Sequence, residues 1–185
     1  LSFRHGSIVF DVAYSPDGKR LACVDRGDVT VRDAQTGQEL LTLRGGGGVA
    51  FSPDGKRLAS GIRQTRLGRP GDTLEFKVWD AQTGQELLTI KGGGVSPVFS
   101  PDGKRLASAN LAGTVQVWDT ASGQQLLTLT PSASGCGRLC SSPDGQRLSS
   151  GNANGTVFLW HPAPGSHWPT HTADNSALTN ISSRC

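Results

Sequence analysis

The sequence has no methionine among its 185 residues and opens at Leu1-Ser2-Phe3, partway into a repeated unit, so the expectation is a segment of something longer. No apolar run approaches the roughly 18 residues a membrane helix needs, and the first residues lack the charged-then-apolar pattern of a secretion signal. A soluble, cytoplasmic chain with no membrane partner is the expectation. An excess of one charge is missing too: 18 basic residues against 15 acidic ones leave a net charge of +3. That balance argues against a nucleic-acid partner, since phosphate binding calls for a concentrated basic face.

The usual marks of chemistry are also scarce. His5, His161, His167 and His171 do not recur at any regular interval, and neither a Gly-x-Ser-x-Gly elbow nor a His-Glu-x-x-His helix is present. Of the four cysteines, Cys23, Cys136, Cys140 and Cys185, only Cys136 and Cys140 stand close together. A zinc site would need two further ligands at suitable spacing, and His161 and His167 are poor candidates for that role. The expectation is no enzyme, no cofactor, no metal and no obligatory disulfide.

What the chain does have is repetition. Ser-Pro-Asp-Gly followed by Lys or Gln, Arg and Leu begins at Ser15, Ser52, Ser100 and Ser142, with starts 37, 48 and 42 residues apart. A period near 40 to 45 residues is what a four-stranded propeller blade requires. The segment Asp33 to Leu43 returns as Asp80 to Ile90 with only its last residue changed, and more loosely as Asp119 to Leu129. Ser52 to Ser60 is identical to Ser100 to Ser108, so the units read as duplications that kept one structural task. The turn aspartates Asp17, Asp54, Asp102 and Asp144 are accordingly read as turn formers rather than calcium ligands or general acids.

The third unit shows the strands best. Val98-Phe99 is a first strand. Pro101, Asp102 and Gly103 then supply a preset φ, a tolerant turn position and a left-handed one in succession, which makes a hairpin into Arg105-Leu106-Ala107-Ser108. In the third strand, Thr114 to Trp118, Val115 and Val117 share one face while Thr114, Gln116 and Trp118 share the other. Asp119 to Gly123 reverses the chain into a fourth strand, Gln125 to Leu129. Segments of four to six residues rich in Val, Leu and Thr exclude a solenoid of helix pairs. One four-stranded sheet cannot bury both faces, so each must pack against its neighbour.

Trp79-Asp80 and Trp118-Asp119, with weakened forms at Arg32-Asp33 and Trp160-His161, resemble the WD-repeat β-propeller family over about residues 1 to 161. The combination of SPDGKRLAS, a VWD ending and TGQELLTL is most similar to the regular repeats of bacterial members. The resemblance implies an all-β propeller of about four blades, near residues 4–43, 44–91, 92–130 and 131–161, as part of a larger ring. Pro162, Pro164 and Pro169 remove ladder donors after Trp160, so the fourth blade is expected to lack its last strand and residues 162–185 to form a disordered tail.

The resemblance also implies that a His, a strand-b Ser or Thr, an Asp in the b–c turn and the strand-c Trp staple each blade. Here that set is eroded. His5 matches in the first blade, but Cys23, Arg26 and Arg32 take the other places. Ser60 and Trp79 remain in the second blade. Ser108 and Trp118 remain in the third with Ala112 at the acid position, and Ser150 and Trp160 in the fourth with Asn154 there. Gly45 to Gly48 and Gly92 to Gly94 stand for trimmed Gly-His loops. Each lost hydrogen bond removes about 1 kcal/mol, a sizeable share of a total near 5 to 15 kcal/mol.

For function, the resemblance implies a noncatalytic scaffold that docks other proteins or peptides, in bacteria often joined to kinase or signalling domains or to further blades. Between the second and third strands of the second unit lies an insertion, Ile62 to Gly71, with Arg63, Arg66 and Arg69 and no acid. Guanidinium forks suit a phosphate or a carboxylate, which makes these three the candidate partner-binding residues. A metal-dependent propeller hydrolase or lactonase and a polyanion-binding module are the alternatives. Asn154-Gly155-Thr156 and Asn180-Ile181-Ser182 fit a glycosylation acceptor by chance composition.

Overall fold

The computed structural model describes residues 8–25, 27–62, 75–94, 96–110, 114–130, 136–152, 156–162 and 178–184. All sixteen elements are strands, and among the described residues there is no helix. They form four antiparallel sheets of four strands each, every sheet in simple up-and-down order.

Sheet one comprises β1 (Asp11–Tyr14), β2 (Arg20–Val24), β3 (Asp28–Asp33) and β4 (Glu39–Arg44). Sheet two comprises β5 (Val49–Phe51), β6 (Arg57–Ile62), β7 (Glu75–Asp80) and β8 (Glu86–Lys91). Sheet three holds β9 (Val98–Phe99), β10 (Arg105–Ala109), β11 (Val115–Asp119) and β12 (Gln125–Leu129). Sheet four holds β13 (Cys136–Ser141), β14 (Leu148–Asn152), β15 (Thr156–Pro162) and β16 (Leu178–Arg184). The strand boundaries expected for the third unit differ from those observed by at most one residue.

One expectation meets a different outcome. Sheet four has a complete set of four strands, and the last is drawn from the segment assigned to the tail: Thr156 to Pro162 pairs with Arg184 back to Leu178. The prolines remove donors only where they stand. A strand that lies beyond them in sequence, with β-branched Thr179 and Ile181, is free of that penalty.

The chain divides into two compact units, Leu1–Pro97 and Val98–Cys185, each with two sheets. In the first, Ala22, Val24, Val29, Val31 and Leu43 of sheet one are buried together with Val49, Leu58, Trp79 and Ala81 from sheet two. Ala13, Leu41 and Phe51 close the edge of that cluster. In the second unit, Ala107, Ala109, Val115, Val117 and Leu127 of sheet three pack with Leu148, Phe158 and Trp160 from sheet four. This is the sheet-on-sheet burial that the period-two pattern demands, and each side chain of that size removed from water stabilises by about 1.5 to 3 kcal/mol.

Candidate functional site

The a–b turns are built alike in all four sheets. In the first, Gly18 takes φ of 70° and its amide donates to the Ser15 carbonyl at 2.8 Å. Ser15 Oγ donates to Asp17 Oδ1 at 2.5 Å and accepts from the Arg20 amide at 2.9 Å, while the Lys19 amide donates to the same carboxylate oxygen. Ser52 with Asp54, Ser100 with Asp102, and Ser142 with Asp144 repeat the pattern. Serine hydroxyls and backbone amides hold the Asp17, Asp54 and Asp144 carboxyls below the ordinary range. At Asp102 burial pushes the other way, but the Ser100 hydroxyl, the Lys104 amide and the nearby Arg105 outweigh it, and the shift is downward.

The c–d turns use the aspartate that follows the strand-c aromatic. Asp80 Oδ1 accepts from the Gln82 and Thr83 amides at 2.9 and 2.7 Å and from Thr83 Oγ1 at 2.9 Å. Asp33 and Asp119 do the same for Gln35-Thr36 and Ala121-Ser122. A register shift just before Arg32, Trp79 and Trp118 lets each strand turn tightly into a glycine with positive φ, Gly37, Gly84 or Gly123. Sheet four has His161 in place of this aspartate, and its fourth strand starts only at Leu178. An imidazole cannot cap two successive amides as a carboxylate does.

In sheets one to three both turn types occupy one edge of the sheet. The amides of Ala34, Ala81 and Thr120 donate to the carbonyls of Lys19, Lys56 and Lys104 across that edge. The opposite edge carries the b–c loops and the glycine loops. There the Gly46 and Gly47 amides donate to the Gly61 carbonyl, and the Gly61 amide returns a bond to the Gly48 carbonyl at 3.1 Å. A Cβ on Gly45 would stand 2.8 Å from Ser60 Oγ, so the trimmed loop lies directly on the strand-b serine.

The stapling set is only partly assembled. Trp79 Nε1 donates to Ser60 Oγ at 3.0 Å in a buried site, and Trp160 Nε1 to Ser150 Oγ at 3.4 Å. Ser108 and Trp118 are both buried on neighbouring strands β10 and β11. In sheet one, Cys23 is buried, which pushes its thiol up, and Arg32 donates to the Gly37 carbonyl and to Glu39 Oε2 at 3.0 Å each. His5, Arg26, Ala112 and Asn154 lie outside the described residues, as do Arg63, Arg66 and Arg69. The insertion joins β6 to β7 and therefore leaves from the glycine-loop edge.

Sequence reasoning missed two positions that brace b–c turns. Asp25 Oδ1 accepts from the Gly27 and Asp28 amides at 3.2 and 3.1 Å, and Asn110 Oδ1 from the Thr114 amide at 3.0 Å. Both stand two residues after the strand-b Cys or Ser, Asp25 one place before Arg26 and Asn110 two places before Ala112. The signal was available, since Asn152 follows Ser150 at the same distance.

Among the described residues no group of three His, Cys, Asp or Glu side chains is placed to hold a metal ion. Cys23 and Cys140 are free thiols, the first buried and the second exposed. The repeated aspartates are each engaged by their own turn.

These features find counterparts in known proteins. Residues 84–119 and 123–161 match the family model described as WD domain, G-beta repeat. The fold is that of WD40 propeller blades. The crystal structure of RRP9 WD40 repeats matches with a TM-score of 0.70 at 21% identity, over 85% of this chain and 49% of that one. The structure of U3-55K matches with a TM-score of 0.74 at 18% identity, over 97% of this chain and 53% of that one. The computationally designed Ika4 protein matches with a TM-score of 0.67 at 24% identity, over 85% of this chain and 93% of that one. The chain thus spans about half the length of the first two WD40 chains. No curated protein matches the sequence.

Proposed function

We propose that the chain is a noncatalytic protein-interaction module of WD repeats, of the regular type most similar to bacterial members, that docks proteins or peptides on its loop edges. The observation that carries this reading is the use of the repeated carboxylates. Each copy of the turn aspartate has its Oδ1 engaged by hydroxyls and backbone amides of its own turn, so the repetition maintains a frame, and chemical variety is left to the loops. The b–c insertion with Arg63, Arg66 and Arg69 is the loop proposed to select an acidic partner segment.

A quantitative pull-down from lysate of the source cells tests this, comparing the unaltered chain with the triple variant R63A/R66A/R69A. Specific partners retained by the first and lost by the second support the reading. Equal recovery by both removes the insertion from it. Stoichiometric calcium or zinc in the purified protein, together with turnover of esters or lactones, would replace the scaffold with a hydrolase. Binding to heparin that weakens steeply as salt rises, with no protein partner, would favour polyanion recognition instead.

A further inference from the structure

Sheets one and two, and again sheets three and four, meet through the same joint. One half of the joint is the face that a sheet turns toward its successor, here its trailing face. The other half is the face turned toward its predecessor, its leading face. Val49, three residues before the turn serine Ser52, lies on the leading face of sheet two and is 6% exposed. Leu139, three before Ser142, packs in the same way on sheet three. Val12, three before Ser15, holds this position in sheet one, yet it is 57% exposed, and Tyr14 is 64% exposed. Ile8, Val9 and Phe10, just before β1, are exposed as well, at 60%, 40% and 41%. Within the first unit, and among the described residues, the leading face of sheet one is thus exposed at the positions that are buried in sheet two.

The other half of the joint is only partly covered at the described positions of sheet four. Val29 and Val31 in sheet one, and Val115 and Val117 in sheet three, lie at the trailing face and are all buried. Their counterparts in sheet four, Val157 and Leu159, are only half-buried.

The polar part of the joint is split in the same way. Arg20 donates from sheet one to the Gly55 and Ala81 carbonyls of sheet two at 2.7 and 2.6 Å. Pro16 lies against Gly55, and Pro101 against Gly145, each 3.4 Å from where a Cβ on the glycine would stand. At sheet four the corresponding Pro143 and Arg147 are both exposed. At sheet one the receiving positions are Gly18 and Ala34. Gly18 has open space beside it, and Ala34 is half-buried where Ala81 is 1% exposed.

We infer that the leading face of sheet one binds the trailing face of sheet four from a second copy of this chain, continuing the joint already made twice within it. Apolar Val12 and Tyr14 meet Val157 and Leu159. Pro143 seats on Gly18, and Arg147 donates to the carbonyls of Gly18 and Ala34. The contact is head-to-tail, so each copy keeps one half free for the next until the arrangement closes. Two copies bring eight sheets, within the range of about 4 to 8 blades at which such sheets form rings.

Light scattering on the purified 185-residue chain, across a wide concentration range, reads the outcome. A mass of twice 19.4 kDa is expected; 19.4 kDa throughout overturns the inference and means that something other than a second copy covers these faces. Tyr14→Glu and Arg147→Glu alter exposed positions on opposite halves of the joint, and each should weaken self-association at least tenfold while leaving the far-UV circular dichroism unchanged. Val12→Lys serves as a second leading-face variant should Tyr14→Glu disturb the fold. Mixing the Tyr14→Glu and Arg147→Glu chains restores one intact joint, so pairs should reappear in the mixture and in neither variant alone. A mixture that stays at the single-chain mass, or a pair that survives Tyr14→Glu and Val12→Lys, overturns head-to-tail pairing.

Discussion

The Arg20 guanidinium donates to the carbonyl oxygen of Ala81, 61 residues away, and joins sheet one to sheet two. Its second nitrogen donates to the Gly55 carbonyl, and the group stacks 5.4 Å from the centre of the Phe51 ring. One planar cation thus ties the a–b turn and the c–d turn of the following sheet at once through two nitrogens in a fixed fork, a geometry that a Lys ammonium on its flexible stem lacks.

Arg20→Ala should therefore destabilise the first unit by about 1.5 to 3 kcal/mol, the usual scale for a hydrogen-bonded charge that is partly buried. Arg20→Lys should recover less than half of the loss. Urea denaturation followed by tryptophan fluorescence checks both. Equal stability of all three proteins would mean that the apolar cluster holds the sheets together without this tie.

The Trp79 and Ser60 pair makes a second test. Ser60→Ala leaves the buried Trp79 Nε1–H without its acceptor, at a cost of about 1 to 3 kcal/mol. Replacing both, as Ser60→Ala with Trp79→Phe, should cost less than the sum of the single changes because no orphaned donor is left. Ser150→Ala should have the smaller effect, since its bond to Trp160 is 3.4 Å long. A double-mutant cycle in denaturant measures the coupling; strict additivity would show that the indole and hydroxyl do not depend on each other.

How much of this was visible in the sequence depends on how far apart the interacting residues are. The a–b hairpins were legible because Ser, Pro, Asp and Gly each fix one local feature of a four-residue turn. The alternation of Val115 and Val117 with Gln116 gave the faces of β11 for the same reason. The partner carbonyls of Arg20 were not legible, since backbone oxygens carry no residue signature and the arginine looks like any solvated cation beside a turn. Strand β16 was hidden by an expectation of uniform spacing: fifteen residues separate Pro162 from Leu178, and the tight-turn aspartate that announces β4, β8 and β12 is His161 here. Asp25 and Asn110 were overlooked because the resemblance directed attention to positions further along the b–c turn.

Gly93 offers a test of packing. A Cβ built there would stand 2.2 Å from Phe76 Cδ2 and 2.4 Å from Cε2, and Phe76 is fully buried. The ring has no room to give way, so Gly93→Ala should cost about 1 to 3 kcal/mol or more. Adding Phe76→Leu should relieve part of that strain, making the double variant more stable than the sum of the two single losses. Thermal unfolding of the four proteins gives the comparison, and a neutral Gly93→Ala would mean that the glycine loop shifts away from β7.

The turn carboxylates set the response to acid. Asp17, Asp33, Asp54, Asp80 and Asp144 are all held below the ordinary carboxylate range by hydrogen bonds from Ser or Thr side chains and backbone amides. Their folded pKa values are depressed relative to an unfolded chain, so their contribution is present above the unfolded value, near 3.9, and is lost as pH falls through the lower folded values. The unfolded state binds more protons in that interval, and stability must decline with falling pH there. Denaturation midpoints should accordingly stay level from neutral pH down to about 5 and drop below about 4. Asp54→Asn keeps the shape of the turn but removes one titrating group, and should reduce the steepness of the acid limb while lowering stability at neutral pH. An unchanged limb in that variant, and in Asp80→Asn, would show that other carboxylates control the acid transition and that the repeated turns hold their form when protonated.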